Sequence, residues 1–400
     1  MCRSFKVKIL QVIPCYLPAH RYGGPVKSVH ELSRKLVELG AEVTVFTTNA
    51  DGPDDLDVPI GSVVLLDGVK VHYFSVEKPR SYFRSPGLNR ALAEQIHQFD
   101  LVHINWLYVY PTLTAARQCL RQNVPYILSS RGMLDSNAVA MKGELKKKLY
   151  LSLIEKKHLA GAAALHFTSY GEEANSWQSG WNKRHVVVYN GINLSEYADL
   201  PDIAEFDQQF PELYGKKIVL FLGRLNYIKG LDLLTQAWPM VVRDLPDAHL
   251  VIAGPDDDGY GVKVRQWIRD GGCEQNVTFT GMLLGREKLA ALSRADMFVA
   301  SSYLESFGMA IVEAMACGKP VVITDRVNIC REVEQAGAGI VTPCDPPRIA
   351  DALIMLLKNP KVGREMGTKG LKFVANNFTW DKAAREMTDV YEDVLLKRKR

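Results

Sequence analysis

Short apolar runs of four to seven residues alternate with longer helical patterns along the whole chain of 400 residues, and few folds accept that alternation. A strand buried on both faces reads as an unbroken apolar run, and two parallel strands need a crossover long enough to hold a helix. The first half offers such runs at Val7 to Ile13, Val43 to Thr47, Leu101 to Ile104, Tyr126 to Ser129, Leu165 to Thr168 and Val186 to Tyr189. A helix over Val26 to Leu39, closed by Gly40, joins the first two. The second half restarts with Ile218 to Leu222, Leu250 to Ala253, Val277 to Thr280, Met297 to Ser301, Val321 to Thr324 and Gly339 to Val341. The expected fold class is α/β, with two Rossmann-like, doubly wound parallel-sheet domains and a cleft at the carboxyl edges of their sheets. Only the pattern recurs, with no sequence repeat behind it.

The length exceeds one ordinary core and suits two. Between Asn190 and Lys216 the alternation lapses into the acidic stretch Glu196 to Glu205, which contains Pro201. The reading is a first domain over 1–195, a linker over 196–216, a second domain over 217–375 and a C-terminal segment over 376–400, with a helix from Trp380 to Leu396 and a basic tail, Lys397 to Arg400. A hydrophobic share of 47% and a charged share of 24% fit a soluble globular protein. The net charge of +4 is too small to call for a nucleic-acid partner. Seven cysteines, at 2, 15, 119, 273, 317, 330 and 344, are odd in number and lack metal-type spacing, which suits a reduced, cytoplasmic protein. The apolar start is broken by Pro14 and Pro18 and does not read as a signal sequence, and no run approaches the roughly 20 apolar residues of a membrane span.

The stretch Glu305 to Pro320 carries the most chemical information. The strand Met297 to Ser301 leads into it, so the turn Ser306 to Met309 should sit at a carboxyl sheet edge with helix amides pointing outward, a natural anion site. Glu305 precedes the helix start and Glu313 lies two turns inside the helix, and over a span of just over two turns both are expected to face one ligand lying along the helix start. Ala310, Ile311, Ala314, Met315 and Cys317 make most of that helix apolar, so Glu313 needs a partner. After Ile218 to Leu222, the loop Gly223 to Gly230 carries Arg224 and Lys229, two cations able to clamp a diphosphate where charge develops.

These motifs resemble those of retaining glycosyltransferases of the GT-B type, family 4, and the resemblance covers nearly the whole chain. It implies that Glu305 contacts a donor sugar and Glu313 the ribose of its nucleotide. The amides of Phe307, Gly308 and Met309 then lie near the diphosphate, while Arg224 and Lys229, following Gly223, hold the phosphates without an essential metal. It also places the nucleoside near Gly254 and near Met282 and Leu283, where backbone groups read the base edge. No cofactor is implied beyond the nucleoside-diphosphate sugar as co-substrate.

On the acceptor side, Gly23 and Gly24 precede Pro25 and a helix, which permits close backbone approach to a ligand. His103 ends a strand and either meets the cleft or hydrogen-bonds in the core. Where the family often has a cleft histidine, this chain has Arg131, a cation that can face phosphate but cannot act as a general base. Glu172 opens a helix at a position the family commonly makes acidic, and Tyr189 replaces the family's proline before Asn190 and Gly191. The segment Lys142 to Lys157 sets Leu145, Leu149 and Leu153 beside six lysines, either as a solvated helix or as a face for anionic lipid.

The expected activity is metal-independent, retaining transfer of a sugar from a nucleoside-diphosphate sugar to a hydroxyl of a carbohydrate or lipid-linked acceptor, at the inner face of the membrane if the lysine-rich helix binds lipid. Surface polysaccharide or glycolipid assembly is the family's commonest setting. Alternatives are a nucleotide-sugar epimerase of the same fold and a silent nucleotide-sugar-binding scaffold. The absence of Gly-x-Gly-x-x-Gly after either opening strand argues against a dinucleotide dehydrogenase.

Overall fold

The computed structural model describes residues 6–141, 143–177, 179–256 and 259–398. Cys2, Lys142 and the tail residues Lys399 and Arg400 lie outside them. The chain divides into two compact units, Met1–Gly191 with Trp380–Arg400, and Ile192–Thr379.

The first unit is built on strands β1 (Lys8–Val12), β2 (Glu42–Thr48), β3 (Val63–Leu66), β4 (Val69–Phe74), β5 (Leu101–Asn105), β6 (Tyr126–Ser129), β7 (Ala164–Phe167) and β8 (His185–Val187). Their order is β8-β7-β6-β5-β1-β2-β4-β3. The central strands β5, β6 and β7 are buried at every residue, which is why they read as unbroken apolar runs. The edge hairpin β3–β4 differs from the parallel expectation, because β3 pairs antiparallel. Its turn residues Asp67 and Gly68 have φ of 48° and 81°, the left-handed pair that a tight hairpin turn requires. The helix Trp380–Arg398 closes this unit, burying Trp380, Ala383, Ala384, Met387, Tyr391 and Val394 against a core that includes Ile9, Val29, Val43 and Leu101.

The second unit contains β9 (Lys217–Leu222), β10 (Ala248–Ala253), β11 (Val277–Gly281), β12 (Met297–Ala300), β13 (Val321–Thr324) and β14 (Gly339–Thr342). All six are parallel, in the order β11-β10-β9-β12-β13-β14. The order reverses between β9 and β12, the switch point at which ligands of open α/β sheets bind. The core around Trp238, Leu234, Leu250 and Leu353 fills one face.

The reading of 196–216 as a linker is corrected: the stretch is a folded part of the second unit. Asp202 caps the helix Ile203–Gln209 by accepting from the Ala204 amide at 2.8 Å. Phe206 on that helix is buried, Asp207 takes a 2.6 Å hydrogen bond from Arg294 Nε, and the Pro201 carbonyl accepts from Ser293 Oγ at 2.8 Å. Acid and proline here signal a capped helix start rather than an unpacked connection.

Candidate active site

In the second unit, side-chain-free positions let three strand ends come together. The Gly223 amide donates to the Ala253 carbonyl at 2.9 Å, and the Gly254 amide to the Gly281 carbonyl at 2.7 Å. Gly254 has φ +149°, and a Cβ added there would lie 1.9 Å from the Gly223 carbonyl oxygen, so only glycine fits. Next to this ledge Met282 is half exposed, whereas the Leu283 side chain is buried, leaving Leu283 only its backbone to offer a ligand.

The loop after β9 is tied to the loop after β12. Gly230, at φ +61°, lies so close that a Cβ would meet the Ser301 carbonyl oxygen at 1.9 Å. Ser301 Oγ donates to the Gly230 carbonyl at 2.8 Å, and the Tyr303 amide donates to the Ile228 carbonyl at 2.8 Å. This lacing brings Lys229 onto Glu305, with a hydrogen bond from Nζ to Oε2 inside the ion pair. Arg224 is half-buried in the same loop.

Glu305 lies ahead of the helix Met309–Ala316, and Gly308, at φ +80°, stands between it and the first helical turn. Glu305 is set by its backbone, which pairs with Arg326 and Asn328. Glu313 is only 7% exposed in an apolar helix, and its partner is Lys288, whose Nζ lies 2.9 Å from Oε1. Tyr197 is buried near it; burial raises the phenol pKa, and the Glu313 carboxylate raises it further. Lys288 and Tyr197 were not picked out by sequence reasoning; the need of Glu313 for a partner was the one signal that pointed to them. The Phe307 ring packs on Phe378 at 5.3 Å between centroids, so its part in a site is confined to its backbone.

In the first unit the sequence candidates separate. Gly23, at φ +71°, precedes the helix Gly24–Glu38, and both glycines are exposed. His103, in contrast, is fully buried, and both ring nitrogens are engaged: Nδ1 with Tyr391 OH at 2.7 Å and Nε2 with Ser129 Oγ at 2.7 Å. Burial, then His166 and Arg131, hold its pKa well below the usual imidazole value. The cleft alternative for His103 is thereby corrected to a core one. Glu172 is also structural. Its carboxylate accepts from Ser130 Oγ (2.9 Å), the Gly132 amide (2.6 Å), the Thr168 amide (2.7 Å) and Thr168 Oγ1 (2.6 Å), which occupies the lone pairs a substrate would need. With Ser169 accepting from the Glu172 amide at 3.0 Å, the pair also forms the start of the helix Tyr170–Asn175.

Arg131 sits at φ +52°, between the two residues that Glu172 holds. Its Nε and Nη2 donate to Asn105 Oδ1 at 3.2 and 2.9 Å, and Nη1 to Asn190 Oδ1 at 3.0 Å, so it spans the ends of β5, β6 and β8. Burial lowers its pKa to about 10, with Glu172 pulling the other way, and it stays cationic at neutral pH. Leu145, Leu149 and Leu153 are 81%, 57% and 74% exposed. Among the described residues no group of three or more His, Cys, Asp or Glu could hold a metal ion, and no helix is long and apolar enough to cross a membrane.

Residues 202–373 match the family model described as glycosyl transferases group 1, and residues 23–191 match the glycosyl transferase 4-like domain. The chain is 28% identical over 394 residues to the D-inositol 3-phosphate glycosyltransferase of Jonesia denitrificans, covering 92% of this chain and 91% of that one. Among solved structures, sucrose-phosphate synthase from Thermosynechococcus elongatus matches with a TM-score of 0.77 at 23% identity, over 98% of this chain and all of that one. Anabaena HepE, in complex with UDP and glucose, matches with 0.76 at 19% identity, over 97% and 100%. Both structural likenesses concern the fold.

Proposed function

Because the chain is a glycosyltransferase of the GT-B type, family 4, we propose that it transfers a sugar, with retention at the anomeric carbon and without a metal, from a nucleoside-diphosphate sugar to a hydroxyl acceptor. The observation that carries this reading is the pair of lysine–glutamate contacts, Lys229–Glu305 and Lys288–Glu313, set around the glycine-led start of the helix Met309–Ala316. Lys229 exchanges one anionic partner for another as the diphosphate arrives, and Arg224 joins it. Glu305, released toward the sugar, orients the ring through its hydroxyls, while Lys288 holds Glu313 ready for the ribose. Fixed cations at the leaving diphosphate stabilise charge that grows only in the transition state. The departing phosphate oxygen takes the acceptor proton on the face it leaves, which gives retention. The glycine ledge at Gly223 and Gly254 admits the nucleoside, a reading to which the UDP complex of Anabaena HepE lends support.

The acceptor is a carbohydrate or a lipid-linked sugar in polysaccharide or glycolipid assembly. The exposed leucines, with Lys146 and Lys157 beside them, make the helical segment from Glu144 a peripheral contact for anionic membrane. The test is acceptor-dependent release of nucleoside diphosphate from a panel of donors, with and without chelator, followed by NMR of the product's anomeric proton. Release kept in chelator with the donor's anomeric configuration supports the reading. An inverted product overturns it, donor conversion without acceptor points to an epimerase, and donor binding without turnover points to a scaffold.

A further inference from the structure

Beyond the carboxyl ends of the first sheet, the loops after β1, β2, β4 and β5 gather Cys15, Ala19, Ala50, Val76, Phe83 and Val109 into a separate apolar cluster, with Tyr22 and Trp106 partly buried at its edge. Tyr22, Phe83 and Trp106 form an aromatic triad with ring centroids 5.8, 6.2 and 6.3 Å apart. Two of the three hold left-handed backbone, Phe83 at φ +52° and Trp106 at +83°. Bulky side chains adopt that region only at an energetic cost, and such strain collects where a side chain must be presented. The shelf is also fixed: Tyr22 OH accepts from the Gly52 amide at 2.8 Å, and the Trp106 amide donates to the Ser129 carbonyl at 3.0 Å. Gly23 and Gly24, both exposed, adjoin Tyr22.

A carboxylate accompanies the rings. Asp51 Oδ1 is buried with no hydrogen-bond donor among the described residues. Burial pushes the Tyr22 phenol pKa up, and the Asp51 charge adds to the rise, so the acid lies within electrostatic reach of the ring. A lipid tail would leave this oxygen without a donor, and Arg80, whose charge acts on the same phenol against that of Asp51, leaves the surroundings close to balanced in charge. A sugar ring satisfies both parts, laying its C–H face on the aromatic surface while a hydroxyl donates to the acid.

We infer that Tyr22, Trp106 and Asp51 form a subsite for a neutral sugar ring, the terminal residue of the acceptor. This rests on the sugar-transfer reading above. The test uses the full chain and methyl glycosides of glucose, mannose and N-acetylglucosamine, with affinities taken from NMR saturation transfer and calorimetry. At least one glycoside is expected to bind; Trp106→Leu should weaken it about tenfold or more and Asp51→Asn several-fold, while Trp106→Phe, which keeps a ring face, retains most of the affinity. The UDP-induced shift in melting temperature reports folding of each variant and separately tests the donor site. Glycosides that bind wild type and both disabling variants alike overturn the inference. So does a wild type that answers UDP but no glycoside, or one in which Trp106→Leu removes only binding to anionic phospholipid vesicles. A wild type that binds glycosides through Trp106 but ignores UDP keeps the subsite and sinks the donor assignment instead.

Discussion

Acidification from pH 7 to pH 5 should destabilise the first unit through its buried histidines. The hydrogen bonds there fix every proton. His166 Nε2 faces the Val188 carbonyl at 3.0 Å, which only accepts, so that nitrogen carries the hydrogen. Nδ1 must then accept from Ser129 Oγ at 2.5 Å, and Ser129, having donated, accepts from His103 Nε2. His103 Nδ1 is left to accept from Tyr391 OH. Both rings are neutral in this chain, and a proton added to either turns a donor against a donor. Burial, with Arg131 adding to it, lowers the His166 pKa from 6.5 to about 3. Because the folded pKa lies below the unfolded one, the unfolded chain binds more protons between these values. Stability is thus held at neutral pH and lost as pH falls from 6.5 toward 3. At 1.36 kcal/mol per pH unit, His166 alone accounts for about 2 kcal/mol between pH 7 and pH 5. His103 acts in the same direction. Urea unfolding of wild type and His166→Gln at pH 7, 6 and 5 measures the difference: the drop should be smaller by about 2 kcal/mol in the variant. A wild-type stability that stays level from pH 7 to 5, or equal drops in both proteins, would refute the neutral-chain argument.

Four further outcomes can be checked directly. Lys229→Ala should lower turnover on the order of 10²-fold with little change in melting temperature, and near-normal turnover would remove it from the leaving-group role. Lys288→Met strips Glu313 of its ion partner and should raise the donor KM about tenfold, more than it lowers kcat; steady-state kinetics over donor concentration will separate the two. Gly254→Ala forces a Cβ to 1.9 Å from the Gly223 carbonyl oxygen, so the melting-temperature response to UDP should vanish, and an unaltered response would show that the ledge is not used. Glu172→Gln replaces an acceptor oxygen with an amino group facing hydrogen-bond donors and should cost about 3 kcal/mol or more in chemical denaturation.

Strands with both faces buried were legible to within a residue; Val321–Thr324 and Tyr126–Ser129 coincide with their apolar runs, and Ala164–Phe167 is shifted by one from the run Leu165 to Thr168. The hairpin β3–β4 escaped because an edge strand buries only one face, although Asp67-Gly68 was a usable turn signal. Composition misled at 196–216, where the residues that look solvent-seeking serve as a cap, as the partner of Arg294 and as an acceptor for Ser293. In the candidate site, Glu305, Lys229 and the glycines were readable because short loops after strands hold them. Lys288 was not, since a single lysine on a helix carries no local mark of a partner 25 residues away. Glu172 and His103 show the converse. Polar residues near strand ends invite a cleft or acceptor-side reading, and only the donors and acceptors surrounding them reveal that they are already satisfied.

The helix Trp380–Arg398 belongs to the unit whose other residues end at Gly191, and this has a consequence during synthesis. At translation rates of about 5–20 residues per second, the roughly 200 residues separating Gly191 from Tyr391 take about 10–40 s to make. Throughout that interval the nascent sheet lacks the surface supplied by Trp380, Met387 and Tyr391, and His103 waits for the hydroxyl that fills its Nδ1. The N-terminal half emerges first yet is completed last, so a chaperone that shields apolar surface has its longest task on the part of the protein that left the ribosome earliest.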